Sequence, residues 1–135
     1  MKEEISVLLL HELGASRGLQ KLALEGQSTK VRWLQSFQEA LPLLLGSNPP
    51  HLVFTAPTLP DGTWVDVVNL VAMAPKPVNI IVVARLVDVR LYLETITRGA
   101  FDFIVPPLTA YELTHVVRCA VENTLSRRDA QASSV

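Results

Sequence analysis

Cysteine and charge are both scarce in this chain. It has one cysteine, Cys119, and only 19% of its 135 residues are charged. A single cysteine cannot form an internal disulfide, so a disulfide-held extracellular scaffold is excluded and a reducing, cytoplasmic location is expected. The 12 basic and 13 acidic residues leave a net charge of −1, so the broad positive field that dominates non-specific nucleic-acid binding is missing. We expect no direct contact with nucleic acid.

Long hydrophobic runs are absent as well. A helix needs roughly 20 apolar residues to cross a bilayer, and the best stretch here, 78–84, is far shorter and contains Asn79. The first apolar run, 7–10, follows Glu3 and Glu4, where a secretory signal would carry positive charge. We therefore expect no membrane contact.

Glycine and proline, at 6 and 9 residues, are too few for a fibrous or low-complexity chain, whereas hydrophobic residues make up 49%. A chain of this length and composition can bury a core without metals or disulfides. We expect one globular domain over 1–126. The segment 127–135 has no apolar periodicity and is predicted to be a solvated tail or a linker stub.

Short apolar runs rich in β-branched residues recur along the chain. They lie at 5–10, 52–55, 80–84 and 103–105, with a weaker one at 30–33. Such runs are typical of parallel strands that helices cover on both faces. Segments with helical spacing follow each of them, around 19–23, 37–45, 65–72, 89–96 and 113–124. The alternation predicts an α/β fold with a doubly wound, five-stranded parallel sheet in the order 2-1-3-4-5.

Capping signals in the sequence support two of the predicted helix starts. Ser36 with Glu39, and Thr109 with Glu112, have the spacing of capping boxes at helix starts. Pro42 conflicts with the helix predicted around it, because proline removes a backbone hydrogen bond, and we expect a kink or a late helix start there.

Ligands bind doubly wound sheets beyond the carboxyl ends of the strands, where the winding reverses. The residues that follow the predicted strands are therefore the candidates for a site. They are His11, Glu12, Ala56, Ala84, Arg85 and Pro106.

Two longer segments resemble response regulator receiver domains. Residues 50–62, Pro-His-Leu-Val-Phe-Thr-Ala-Pro-Thr-Leu-Pro-Asp-Gly, resemble the third strand and following loop of that family. Residues 98–108, Arg-Gly-Ala-Phe-Asp-Phe-Ile-Val-Pro-Pro-Leu, resemble its fifth strand and Lys-Pro turn. The ending 111–122 is most similar to NtrC-like receivers, which regulate transcription. The resemblance covers about residues 4 to 126 and implies a CheY-like, flavodoxin-like domain of bacterial two-component phosphorelay signalling.

The chemistry of such receivers needs acids that hold Mg²⁺, one of them the phosphoacceptor, together with a hydroxyl and a lysine. The resemblance puts Ala56 at the phosphoacceptor position, where it supplies no nucleophile. It puts the acid pair on His11 and Glu12, the hydroxyl on Ala84 and the lysine on Pro106. We therefore expect a degenerate pocket formed by His11, Glu12, Ala84, Arg85 and Pro106. No catalytic residue, bound metal or cofactor is expected in it.

Two finer expectations concern this pocket. Glu12 is a lone carboxylate there, and we expect it to pair with Arg85. The family's Lys-Pro bond is cis, so the resemblance implies a cis bond between Pro106 and Pro107.

A receiver that cannot accept phosphate is expected to act as a protein-interaction or dimerisation module. The resemblance points to the helix at 89–96, the strand at 103–105 and the last helix. The helical spacing turns Val89, Tyr92, Leu93 and Ile96 towards the sheet. The interaction face is then expected to contain Arg90, Leu91, Thr95, Phe103, His115 and Arg118.

The alternative interpretation is a small-ligand protein that binds a flavin or a nucleotide in the crevice. The segment 14–18, Gly-Ala-Ser-Arg-Gly, could offer amides and a cation to an anion, although its spacing matches no phosphate-loop signature. The small residues at the strand ends favour a closed pocket instead. A metal site is not favoured either, because His11 and His51 are predicted at opposite edges of the sheet.

Overall fold

Five strands form one parallel sheet in the computed structural model, which describes residues 4–11 and 29–133. They are β1 (Ile5–Leu10), β2 (Thr29–Leu34), β3 (Leu52–Thr55), β6 (Asn79–Val83) and β7 (Asp102–Ile104). Their order is β2-β1-β3-β6-β7, and every neighbouring pair is parallel. The predicted doubly wound α/β fold with the order 2-1-3-4-5 is confirmed.

A small antiparallel hairpin, β4 (Thr58–Leu59) with β5 (Gly62–Thr63), follows β3 and was not predicted. The helices in the described part of the chain are α1 (Phe37–Leu45), α2 (Trp64–Ala72), α3 (Val89–Thr97) and α4 (Ala110–Ser133). The helix predicted around 19–23 and the loop at 14–18 lie outside the described residues. No helix between 29 and 133 is long and apolar enough to cross a membrane.

The central strands are buried on both faces. Leu9 of β1, Phe54 of β3 and Ile81 of β6 are completely inaccessible to solvent. Leu44 of α1 and Val117 of α4 are equally buried. Fully burying each such side chain contributes about 1.5–3 kcal/mol, and this layered core explains why the strands have almost no polar residues.

The helix starts are capped largely as predicted. The Thr109 hydroxyl accepts a hydrogen bond from the Glu112 amide at 3.0 Å, and the Thr109 amide donates to the Glu112 carboxylate at 3.4 Å, which confirms that capping box. At α1 the Ser36 hydroxyl accepts from the Glu39 amide at 3.2 Å. The Glu39 carboxylate, however, accepts from Gln35, one residue before the expected donor. Since α1 begins at Phe37 and includes Pro42, a late helix start is wrong.

Asp61, in the turn between β4 and β5, provides a second cap for α1 from a distant part of the chain. Its Oδ1 accepts from the Phe37 amide at 2.8 Å and its Oδ2 from the Gln38 amide at 3.0 Å. The hydrogen bond from Phe37 is the main cause of a lowered Asp61 pKa, with Gln38 adding to it. Both bonds favour the ionised carboxyl group, so the hairpin and α1 are linked electrostatically.

Asp61→Asn is expected to destabilise the fold at neutral pH and to have no effect in strong acid. The folded-state pKa of Asp61 is lowered, so its stabilisation is present above the unfolded value of about 3.9 and is lost as the pH falls through the folded value. Urea unfolding at neutral and at strongly acidic pH measures this difference. Asp129→Asn, an exposed change on α4, is the control, and an Asp61 difference that persists in strong acid would contradict the explanation.

The solvated tail predicted for 127–135 is wrong at its beginning. The last helix continues to Ser133, and Arg127 donates to the Asn79 side chain at 2.8 Å. Arg128 donates to the carbonyls of Pro77 at 2.8 Å, Pro50 at 2.8 Å and Pro49 at 3.2 Å. These carbonyls belong to loops that enter the sheet, and proline-rich loops offer many acceptors but few donors. The two arginines therefore attach the end of α4 to the core.

Arg128→Ala is expected to lower the free energy of unfolding by about 2 kcal/mol, because hydrogen bonds to a charged group stabilise by about 1.5–3 kcal/mol. Arg118→Ala, on the exposed side of the same helix, should change it by less than about 0.5 kcal/mol. Chemical denaturation of both variants tests the difference. Equal effects would mean that the loop carbonyls do not hold α4.

Candidate functional site

The carboxyl ends of β1, β3 and β6 meet at one edge of the sheet and border a crevice of about 570 Å³. Its floor is apolar and includes Ala56, Val83 and Ala84. The loop and hairpin residues 57–60 form one side, and the segment that leads into α3 forms the other. The prediction of a closed pocket is therefore wrong. Small side chains at the strand ends leave space that no larger side chain among residues 4–11 and 29–133 fills.

The structure brings most of the predicted pocket residues together. His11, Ala56, Ala84 and Arg85 line the crevice. Ala56 and Ala84 are 8% and 4% exposed, whereas Arg85 is exposed. Glu12 lies outside the described residues, and so does its predicted pairing with Arg85.

Pro106 does not join these residues. It is half-buried after β7 and is not part of the described crevice lining. The bond between Pro106 and Pro107 is cis, as the resemblance implied. The position that the resemblance assigns to a lysine therefore holds a proline ring outside the described lining of the crevice.

His11 has a backbone conformation that sequence reasoning missed. Its φ is +69°, in the left-handed region that few non-glycine residues adopt. Its amide donates to the Leu34 carbonyl at 2.7 Å, which continues the contact between β1 and β2 by one residue. The Nδ1 atom is buried without a hydrogen-bond partner among the described residues. A buried nitrogen in this state costs about 1–3 kcal/mol.

Carboxylates are scarce in the crevice. Within the described part of the chain, Asp88 is the one acidic residue that lines it. Its Oδ1 accepts from the Leu91 amide at 3.0 Å, which starts α3. Residues 4–11 and 29–133 contain no group of three or more side chains suited to a metal ion. Since Mg²⁺ prefers several oxygen ligands, these residues do not fit the ion.

His51 lies at the opposite edge of the sheet, as predicted. It is 5% exposed, and its Nδ1 accepts from the Ser6 amide at 3.1 Å. This histidine connects the entry of β3 to β1 and is remote from the crevice.

A second surface lies on α3. Arg90 is exposed there as predicted, but several other residues lie on the side opposite to the predicted one. Thr95, predicted to face outward, is fully buried, and its hydroxyl donates to the Tyr92 carbonyl at 2.8 Å. Leu91, also predicted outward, is half-buried against the core. Val89 and Leu93, predicted inward, are 66% and 57% exposed.

The inverted orientation leaves an exposed apolar surface, which we call the apolar face. It comprises Leu86, Val87, Val89, Leu93 and Ile96, of which Leu86 and Val87 are 77% and 81% exposed. Isolated exposed apolar residues are ordinary, but a contiguous group marks an interaction surface more often than a solvated one.

The structure also gives the exposure of the remaining residues of the predicted interaction face. Arg90, His115 and Arg118 are exposed. Phe103 of β7 is half-buried, and its ring meets the Tyr92 ring edge-on with centroids 5.8 Å apart. This contact attaches α3 to the edge strand of the sheet and explains why Tyr92 is less exposed than Leu93.

No family model and no curated protein matches the sequence. Solved structures do match. The signal receiver domain of an HD domain-containing protein from Pseudomonas fluorescens Pf-5 is 21% identical with a TM-score of 0.77, and the match covers 96% of this chain and 95% of that one. The signal receiver domain of a LuxO repressor protein from Vibrio parahaemolyticus is 22% identical with a TM-score of 0.75, covering 90% and 93%.

NtrX from Brucella abortus, in complex with ADP, is 20% identical with a TM-score of 0.77. That match covers 96% of this chain but only 30% of the NtrX chain. The domain described here therefore has the fold of response regulator receiver domains, a CheY-like, flavodoxin-like fold.

Proposed function

We propose that this chain is a receiver-type module of two-component signal transduction that works without phosphorylation and acts by binding protein, first of all a second copy of itself. The observation that carries the proposal is the loss of phosphoryl-transfer groups from the crevice of a receiver fold. We place the module in the bacterial cytoplasm, and the likeness to NtrC-like receivers associates it with transcription regulation through a protein partner. We assign it no catalytic residue, no cofactor, no nucleic-acid contact and no membrane contact.

The loss of phosphoryl transfer follows from what each position supplies. An aspartyl phosphate needs a carboxylate nucleophile, and Ala56 has none. The developing charge needs a metal ion and a cation, but the described lining offers the single carboxylate of Asp88, already used to start α3. Ala84 has no hydroxyl with which to report a phosphoryl group to the rest of the domain.

Self-association is supported by the composition of the apolar face and its border. A two-fold interface uses the same patch on both copies, so that patch must complement itself. Arg90 and Glu94 lie one helical turn apart with Nε and Oε1 at 3.8 Å, and both side chains are largely exposed. Two antiparallel copies of α3 would place Arg90 opposite Glu94 of the second copy. The apolar face would then be covered between two such charge pairs.

The experiment combines a phosphodonor with a measurement of association. The protein is incubated with Mg²⁺ and acetyl phosphate or phosphoramidate, and intact-mass spectrometry then looks for a phosphoryl group. Sedimentation equilibrium is run on the same samples with and without the donor. We expect an unshifted mass and one concentration-dependent association that the donor does not change.

Three results would contradict the proposal. An aspartyl phosphate on this chain would show that another acid serves as nucleophile. Association that requires the donor would show that phosphorylation still controls the interface. A wild type that stays monomeric at high concentration would refute the self-association.

A further inference from the structure

We propose that the crevice at the strand ends binds a small aromatic acid: an apolar molecule with one anionic group. This inference does not rest on the self-association proposed for the apolar face, although Leu86 belongs to both surfaces. It gives the emptied receiver pocket a ligand in place of a phosphoryl group and a metal ion.

The size and lining of the crevice suit such a molecule. Its volume of about 570 Å³ falls within the range of about 300–1,000 Å³ that is usual for ligand pockets. Ala56, Leu59, Ala84 and Leu91 line it with apolar side chains. An aromatic ring can make apolar contacts with these side chains. The crevice also lies where the winding of the sheet reverses, the usual ligand site of doubly wound folds.

The charges at the crevice favour a single negative charge on the ligand. Arg85 lines the crevice, and no ion pair joins it to another described residue. Asp88 lines the same space and would repel a dianion. A carboxylate or sulfonate can therefore pair with the Arg85 guanidinium, whereas a phosphate monoester would bring a second charge close to Asp88.

Two fluorescent probes test the proposal. 1-Anilinonaphthalene-8-sulfonate has an apolar ring system, one N–H and one sulfonate. N-phenyl-1-naphthylamine is the same molecule without the sulfonate. Each is titrated at a protein concentration where the wild type is monomeric. ¹H–¹⁵N NMR locates the bound probe.

We expect both probes to bind saturably at one site, with shifts centred on the Ala56 and Ala84 amides. Arg85→Gln should weaken the sulfonate probe about fivefold, the effect of one exposed charge pair, and should change the neutral probe less than about twofold. Ala84→Leu should abolish both interactions by filling the floor. Leu93→Gln, on the apolar face, is the matched control and should leave both affinities unchanged.

Several results would overturn the proposal. If the wild type does not bind the probes, or binds them without saturation, the crevice is not a specific ligand site. NMR shifts centred on Leu93 and Ile96, or a loss of affinity in Leu93→Gln, would place the probe on the apolar face. An equal effect of Arg85→Gln on the two probes would show that Arg85 does not recognise the anionic group. If Ala84→Leu fails to fold, the Arg85→Gln comparison decides the matter, because Arg85 is exposed and contributes little to stability.

Discussion

Leu93→Glu is expected to weaken self-association at least about tenfold, which corresponds to about 1.4 kcal/mol at one interface residue. The side chain is 57% exposed in the centre of the apolar face. Glutamate there removes apolar contact and brings like charges together across a two-fold axis. Because the side chain contributes little to the core, the thermal midpoint should stay nearly unchanged. Sedimentation equilibrium and thermal unfolding measure the two effects separately.

Leu91→Glu is the matched variant, and it changes a residue on the opposite side of the same helix. Leu91 is half-buried against the core, so its replacement by a charged group should lower the free energy of unfolding by about 2 kcal/mol or more. The two variants thus test which side of α3 faces out. An unaltered sedimentation profile for Leu93→Glu in an associating wild type would remove the apolar face from the interface. Weakened association without lost stability in Leu91→Glu would mean that α3 has the opposite orientation.

Ala56→Asp is expected not to restore phosphorylation, although it puts a carboxylate at the position that the resemblance assigns to the phosphoacceptor. Ala84 supplies no hydroxyl, Pro106 no ammonium and His11 no carboxylate, so the new acid lacks most of the groups that phosphoryl transfer needs. Intact-mass spectrometry after treatment with acetyl phosphate and Mg²⁺ should show the unmodified mass. A phosphorylated Ala56→Asp protein would mean that the pocket retains more of its chemistry than these residues supply.

The same variant should also be less stable than the wild type, by about 1–3 kcal/mol at neutral pH, because it buries a polar group without a partner at a site that is 8% exposed. Burial disfavours the ionised carboxyl, so the folded-state pKa of this aspartate should be raised. The loss of stability should then shrink as the pH falls to the unfolded value of about 3.9. Ala56→Asn is the neutral control, and its loss of stability should not change over that range. Urea unfolding of both variants across the acidic range measures the contrast.

The fold was predictable because the burial of each strand is visible along the chain. Runs such as Ile80–Val83, completely buried in the structure, can only be central strands of a sheet covered on both faces. Alternation with helices then leaves few topologies. The position of the crevice followed from the topology alone, and so His11, Ala56, Ala84 and Arg85 were placed at one edge without knowledge of any contact.

The geometry inside the crevice was harder to predict from the sequence. Neither the left-handed backbone of His11 nor its unpartnered Nδ1 has a signal in the local sequence, because both depend on how β1 meets β2 at Leu34. The role of Asp61 is similar. Its turn sequence, Leu-Pro-Asp-Gly, predicts a turn, but its bonds to Phe37 and Gln38 join residues more than twenty positions apart.

By itself the sequence determined the helix boundaries near Ser36 and Thr109 and the absence of a nucleophile at Ala56, since each depends on residue type and short-range spacing. It also determined the strand order, because the alternation of strands and helices leaves few topologies. Only the tertiary structure decided which side of α3 faces out. The periodicity of Val89, Tyr92, Leu93 and Ile96 defines an apolar stripe but not the surface that covers it. Contact with the core selected Leu91 and Thr95 instead, and the Thr95 hydroxyl could be buried because the Tyr92 carbonyl accepts its hydrogen bond. The apolar stripe remained outside, on the surface where we expect a second protein to bind.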